Sequence, residues 1–451
     1  INCIEVSPHD KAAVYVAATA YKFNNKQPML YKSNDYGKTW TKIVSGIPDG
    51  AYTRCIREDE EKRGLLFAGT ETGLYVSWND GADWEQLQLG LPITPITDLK
   101  VHKGNLVAAT MGRSFWILDD LQMLRNYDAT SFGKSMAVYR PRDVFRTSGG
   151  SMLDGNFKRG ENGVGAASLQ GGVNAPAGAV IYYTLPADLA DTATLYLDVI
   201  DDIGKTIRTF SSKADPDFVG YPGGPGAEPV LPTQKGLNRF VWDLRFPTLK
   251  GVPTVFIEGS FQGRKVAPGN YLLRLRLSGE EKTAPVRVLP HPLIKATKAD
   301  YADQQTWQKK VEDDINAIHQ SVVNMRKVKK QLTEFNTLTK DDKSMKELQE
   351  KAKAIVEKLS KWEDELVQNK AQSNDDIINF VNKLSADFIF LRGEMDTNIP
   401  IVNEGAKQQY DVLHAQWEKL KADMQSVIDN EVSAFNKMCI EKQVSKLIIP
   451  K

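Results

Sequence analysis

The chain has little that would tie it down covalently or place it in a membrane. Its 451 residues include three cysteines, Cys3, Cys55 and Cys439. They are odd in number, far apart and without a CxxC pair, which argues against a disulfide framework and leaves only a lone Cys3–Cys55 bond open. Histidine is also scarce. The five present, His9, His102, His291, His319 and His414, show neither HxH nor HExxH spacing, so neither a metal nor a cofactor is expected. No glycine loop leads from strand to helix to cradle a phosphate, and no GxSxG elbow occurs. Apolar runs are too short to span a bilayer, and no charged-then-apolar leader precedes the first strand. An excess of one charge is missing as well: 58 Lys+Arg stand against 57 Asp+Glu, which excludes the electrostatic signature of a nucleic-acid or anionic-membrane binder. The chain opens on Ile1 and strand-like INCIEV, and reads as the C-terminal portion of a mature or trimmed product.

The length predicts two to four domains, and what is present falls into three zones. Residues 1–127 are short β-branched and aromatic runs punctuated by Gly, Asn and Asp, among them AAVYVAATAY, GLLFAGT, GLYVSW and SFWILDD. They repeat: Ser77 follows Ser33 by about 44 residues, and Val107 follows Leu66 by about 41. That period, with several strands per unit, predicts the blades of a β-propeller, which need neighbours and should not fold in isolation. Residues 128–294 keep a β character without the repeat. AVIYYTL, LYLDVID, NRFVWDLRF, YLLRLRL and APVRVL predict an immunoglobulin-like β-sandwich, with long Gly- and Pro-rich loops over 147–178 and 218–232. Trp242 alternates with Phe240 and Leu244 as a sheet core. From Thr297 the composition turns to Lys, Glu, Gln, Ala and Leu. Apolar stripes at steps of three and four begin at Val311, Leu348, Ile378 and Leu413, and predict an antiparallel four-helix bundle over 295–451 with its own core. Thr297 with Asp300 reads as its first N-cap and first-turn acid. The fold class is therefore β plus α, in three parts.

The chemistry turns on SNDYGKTW. Ser33, Asp35, Gly37, Thr39 and Trp40 reappear one repeat later as Ser77, Asn79, Gly81, Asp83 and Trp84. A catalytic carboxylate acts once, whereas a turn device recurs, and Asn79 could serve neither as acid nor as nucleophile. Both Asp and Asn accept from nearby backbone N–H groups, and Gly permits positive φ, so the stretch reads as a hairpin mark. SxDxGxTW resembles the Asp-box of bacterial neuraminidase repeats. Together with GLLFAGTETGLYVSWNDGADW and LVAATMGRSFWILDDL, it makes residues 1–125 similar to the closing blades of sortilin-like propellers. The resemblance continues through GLNRFVWDLRFP, APGNYLLRLRLSGE and ATKADYADQQ. It implies an exported bacterial protein, periplasmic, outer-membrane-associated or extracellular, of a type often labelled glycosyl hydrolase. It also implies a structural Asp-box at the blade edge.

A glycosidase needs two carboxylates about 5 to 10 Å apart, and no pair can be nominated, so the catalytic residues are unknown. Asp119 and Asp120 close the last strand motif, where turn duty suits them. Arg54, Arg57 and Arg113 occupy comparable positions in the repeats and are the candidate ligand-binding residues, with pairing to acids as the structural alternative. The leading reading is a non-catalytic binding and assembly protein. Its propeller would recognise a polypeptide or glycan, and its helices would dock subunits of an envelope complex. The alternatives are a glycoside hydrolase whose catalytic residues lie in upstream blades, and a structural subunit of an outer-membrane complex.

Overall fold

The computed structural model describes residues 1–147 and 176–449; most of the glycine-rich stretch 147–178, read above as an exposed loop, lies outside the described residues. The chain divides into two compact units, residues 1–132 and residues 133–147 with 177–449.

The first unit is built of antiparallel meanders. β1 (Cys3–Val6), β2 (Val14–Ala20), β3 (Asn25–Ser33) and β4 (Thr41–Lys42) pair in chain order. So do β5 (Thr53–Glu58), β6 (Leu66–Thr70), β7 (Gly73–Ser77) and β8 (Glu85–Gln86). β9 (Ile96–His102), β10 (Asn105–Thr110) and β11 (Phe115–Leu118) form a third sheet, followed by α1 (Gln122–Asn126). The middle sheet is apolar on both faces, and both are covered. Ile56, Leu66, Ala68 and Tyr75 pack with Tyr15, Ala17 and Leu30 of the first sheet. Cys55, Phe67, Leu74 and Val76 pack with Leu99, Val101 and Leu106 of the third. Two-sided burial is why its strands read as continuous apolar runs instead of alternating ones. Asp59, wholly buried, is held by Arg125 at 2.8 Å.

In the second unit, β12 (Ala137–Val138), β14 (Ala179–Leu185) and β17 (Gly236–Trp242) form one sheet. β13 (Val144–Phe145), β19 (Glu280–Leu289), β18 (Gly269–Leu277), β15 (Tyr196–Ile200) and β16 (Thr206–Ser211) form the other. Both sheets contribute to a single core around Trp242, Leu197 and Leu273. Trp242 packs edge-on to Tyr271 at 5.6 Å.

The helices are α2 (Lys298–Leu338), α3 (Lys346–Leu366), α4 (Leu384–Met395), α5 (Glu404–Ser426) and α6 (Ser433–Glu441), the last two joined through a π turn, Val427–Val432. Thr297 and Asp300 form a reciprocal capping box at the start of α2. Two features depart from the periodic reading. The third stripe is not helical at its start: a 3-10 turn, Asn374–Ile378, precedes α4, and Ile378 and Val381 are 86% and 80% exposed. The capping box of Ser373 and Asp376 closes that turn locally, and the short polar side chains of Asn374, Asp375, Asn379 and Asn382 compete for the backbone that a helix would need. The helical core is also not the helices' own. Leu249, Val252, Val255, Ile257 and Phe261, from the segment before β18, are buried in it.

His319 marks that junction. Wholly buried on α2, it meets the Lys250 carbonyl with Nδ1 and the Ser385 hydroxyl with Nε2, each at 2.5 Å. The carbonyl can only accept, so Nδ1 carries the proton and Nε2 accepts from Ser385. Burial pushes the imidazole pKa down to about 4. Because the folded value lies below the unfolded one, the unfolded state takes up the extra proton between them. Stability is therefore full above about pH 6.5 and falls by on the order of 3 kcal/mol as pH drops towards about 4. Denaturant unfolding across this range should show that slope, and His319→Gln should remove it. Phe261→Ala, although outside every helix, should cost about 3 to 5 kcal/mol of helical stability by far-ultraviolet circular dichroism.

Candidate functional site

The turn after β3 is closed almost entirely by Asp35. Its Oδ1 accepts from the N–H of Lys38 and of Thr39, both at 2.9 Å, and from Ser33 Oγ at 2.8 Å; its Oδ2 accepts from Thr39 Oγ1 at 2.6 Å. Ser33 Oγ in turn accepts from Gly37 N–H at 2.9 Å. Tyr36 and Gly37 take φ of 60° and 81°, the left-handed pair that such a turn requires. The hydroxyl and N–H of Thr39, then Ser33, hold the Asp35 carboxyl down at about 2. A carboxylate so committed has no proton to give near neutral pH.

The turn after β7 reaches the same shape with the roles exchanged. Asn79 Oδ1 accepts from Asp83 N–H and Ser77 Oγ, both at 2.9 Å, while Asn79 Nδ2 donates to Asp83 Oδ2 at 3.2 Å. Ser77 Oγ accepts from Gly81 N–H at 2.9 Å. The acid has moved from the second polar slot to the fourth, and the donor the other way. The two tryptophans differ. Trp84 is 3% exposed, its Nε1 on the Ile43 carbonyl at 2.9 Å and its N–H on the Ser45 carbonyl at 2.8 Å. Trp40 is 46% exposed and its Nε1 turns back to the Gly37 carbonyl at 3.0 Å.

The three candidate arginines do not converge. Arg54 sits at the bulge where β5 slips against β6 and donates to Glu71 from Nε and Nη2 at 2.8 and 2.5 Å. Arg57 is spent on the Leu99 carbonyl at 2.6 Å, Asp98 at 2.7 Å and Glu5 at 3.6 Å. Arg113 lies exposed in the turn between β10 and β11, where its N–H rests on Thr110 Oγ1 at 3.1 Å. Asp120 Oδ1 accepts from Gln122 N–H at 3.0 Å at the start of α1. The cysteines are all free; Cys3 Sγ donates to the Ile56 carbonyl at 3.5 Å, and burial pushes the Cys55 thiol up to about 12. Among the described residues, no group of three or more His, Cys, Asp or Glu could hold a metal ion. No helix there is long and apolar enough to cross a membrane.

Around Arg54 the structure adds residues that the sequence did not single out. Tyr21 and Tyr52 stack with centroids 5.1 Å apart, and the Arg54 guanidinium lies over Tyr52 at 5.4 Å. Beside them Phe23 projects, 87% exposed, from a 3-10 turn Tyr21–Phe23 closed by Asn24 in the left-handed region. Two exposed rings, a buried ring and a fixed guanidinium–carboxylate pair form a ledge at one end of the first two sheets. The available signal was the aromatic pair Tyr21 and Phe23, interrupting the alternation between β2 and β3.

No protein-family profile and no curated protein matches the chain. Among solved structures it is similar to YCF48 bound to D1 peptide, at 17% identity over 26% of this chain and 36% of that one, with a TM-score of 0.21. An ancestral GH74 enzyme is 10% identical over 63% of this chain and 35% of its own, TM-score 0.22. The Niastella koreensis GH74 enzyme is 14% identical over 63% and 46%, TM-score 0.22. The chain thus spans less than half the length of each, and scores this low assign neither fold nor function.

Asp35→Asn should lower the unfolding midpoint modestly near neutral pH, because Asn79 closes its turn with Asp83 as the acid partner whereas Asp35 is held as a carboxylate beside Thr39. Asp35→Ala should lower it further. Trp84→Ala should cost about 3 to 5 kcal/mol by emptying a packed site, and Trp40→Ala clearly less, since half of that ring already faces solvent. Denaturant unfolding of the four variants measures all of these.

Proposed function

We propose that this chain is a non-catalytic binding and assembly module of an exported bacterial protein, and that its first unit recognises a polypeptide or glycan on the Tyr21–Phe23–Tyr52–Arg54 ledge. In this reading the three meanders are blades of a partial β-propeller over 1–127, with Ser33, Asp35, Gly37, Thr39 and Trp40 and their second copy as structural Asp-boxes. Residues 128–294 are an immunoglobulin-like sandwich, and 295–451 an antiparallel four-helix bundle that docks partner subunits. The outward edge of the first sheet supports the stacked-blade reading: Ile4 and Val6 are 62% and 64% exposed and pair in register with Val16, which is buried, and Val14, which is half-buried, apolar residues of the kind the middle sheet buries.

The observation that carries binding over hydrolysis is the state of the carboxylates. Glu71 is taken by Arg54, Asp98 by Arg57, Asp59 by Arg125, Asp80 by Lys32 and Asp35 by its own turn. A glycosidase needs one acid raised above its ordinary pKa and a second carboxylate facing the same bond; burial does raise Glu5, but Arg57 stands 3.6 Å from it and opposes the rise. Exposed rings beside a fixed ion pair instead suit the flat apolar face of a sugar, or an extended peptide with one charged side chain.

A ligand panel of oligosaccharides and extended peptides, read by calorimetric titration, tests this. Tyr21→Ala combined with Phe23→Ala should weaken the best ligand at least tenfold without shifting the melt. Binding left intact by that double variant would remove the ledge from the account.

A further inference from the structure

Beneath the sandwich, where it meets the helices, the second unit buries more positive than negative charge. Arg146, Arg392 and Lys265 are 0%, 1% and 5% exposed. Arg245 and Arg264 join them, with side chains 11% and 13% exposed. Two buried carboxylates answer these cations. Asp396 accepts from Arg245 at 2.7 Å and stands 3.6 Å from Arg392. Glu312 accepts from Arg264 at 2.5 Å and stands 3.7 Å from Arg392. Asp243, the next acid, is committed to Arg208 at 2.9 Å. Arg146 and Lys265 therefore have no carboxylate of their own among the described residues, and Arg392 shares two at distances too long for a direct hydrogen bond. Buried charge of this kind is normally paired.

The hydrogen-bond inventory points the same way. Arg146 gives Nε to the Val266 carbonyl at 2.9 Å and Nη2 to Gln304 at 2.8 Å, but its Nη1 has no partner. The ring beneath that guanidinium, Tyr301 at 5.3 Å, is 4% exposed and its hydroxyl is unpartnered too, as are Nε and Nη2 of Arg392. Lys265 reaches across to the Thr147 carbonyl, so two cations from adjoining segments, 146–147 and 265–266, sit side by side. Burial, and then Arg245, push the Lys265 pKa down to about 8. A water molecule would accept from the idle donors but would leave the charge uncorrected.

We propose that the second unit binds one small hydrogen-bond-accepting anion, inorganic or a simple carboxylate, at the corner formed by Arg146, Tyr301 and Lys265. The anion takes the free Arg146 and Tyr301 donors and neutralises the Lys265 ammonium. It thereby joins the strand end at Phe145 to the first turns of α2, and the stability of the unit depends on it. Guanidinium geometry favours an oxyanion or carboxylate over chloride.

Thermal melts of the whole chain at constant ionic strength, in gluconate exchanged stepwise for chloride, acetate or phosphate, test this. The melting temperature should rise saturably with at least one small anion. Tyr301→Phe, which removes only the hydroxyl, should raise the half-saturating concentration severalfold, and Lys265→Met should abolish the response while melting higher than the parent in gluconate. Identical melts in all four anions, or variants that respond as the parent does, would overturn the site. A rise preserved in both variants would mean general salting and not a bound ion.

Discussion

Burial on both faces of the middle sheet is the constraint from which the first unit follows. Ile56, Leu66, Phe67 and Ala68 are wholly buried, and a sheet of this kind has no solvent side on which to rest. Each meander is held by its neighbours more than by its own core. The turn devices serve that stacking: once Asp83 and Asn79 have closed the β7–β8 turn, Trp84 is carried onto the Ile43 carbonyl of the preceding sheet, and Gly81 is small enough to let Ile43 approach. A Cβ at Gly81 would lie 2.7 Å from Ile43 Cδ1. Fixing the sheets in turn fixes their ends, where the aromatic ledge lies.

The second unit is organised differently. Its sandwich and helices share packing through the segment containing Leu249 to Phe261, and they share charge through Arg245, Asp396, Glu312 and Arg264. An apolar seam alone would tolerate sliding, because dispersion and hydrophobic burial have little direction. Charge-assisted hydrogen bonds fix register. His319, locked neutral between a carbonyl and a hydroxyl, adds a further directional tie at the same seam.

Local features of this chain were legible in the sequence because their causes are local. The Asp35 and Asn79 turns, the Thr297 cap and the stripe from Val311 each depend on residues a few positions apart. Whatever depends on a distant neighbour was not. The same tryptophan slot is buried at Trp84 and half exposed at Trp40, because burial there is decided by the adjoining sheet. Arg54, Arg57 and Arg113 looked like comparable ligand-binding positions, yet Arg54 is consumed by Glu71 in the turn between β6 and β7 and Arg57 by Asp98 of β9. The segment 249–261 carries no periodicity, so nothing in it announced membership of the helical core. The ledge was overlooked because Tyr21 and Phe23 stand in a turn that reads as an irregularity between two strands, and Tyr52 joins them only in space.

The central claim is that the first unit presents a surface and not a reaction centre. Product analysis by mass spectrometry, after long incubation of the chain at high concentration with the same panel of oligosaccharides and peptides, tests this most directly. The account predicts that bound ligands are recovered intact across acid and neutral pH. Cleavage that disappears when a single carboxylate among Asp35, Asp59, Glu71 or Asp98 is replaced by its amide would contradict it.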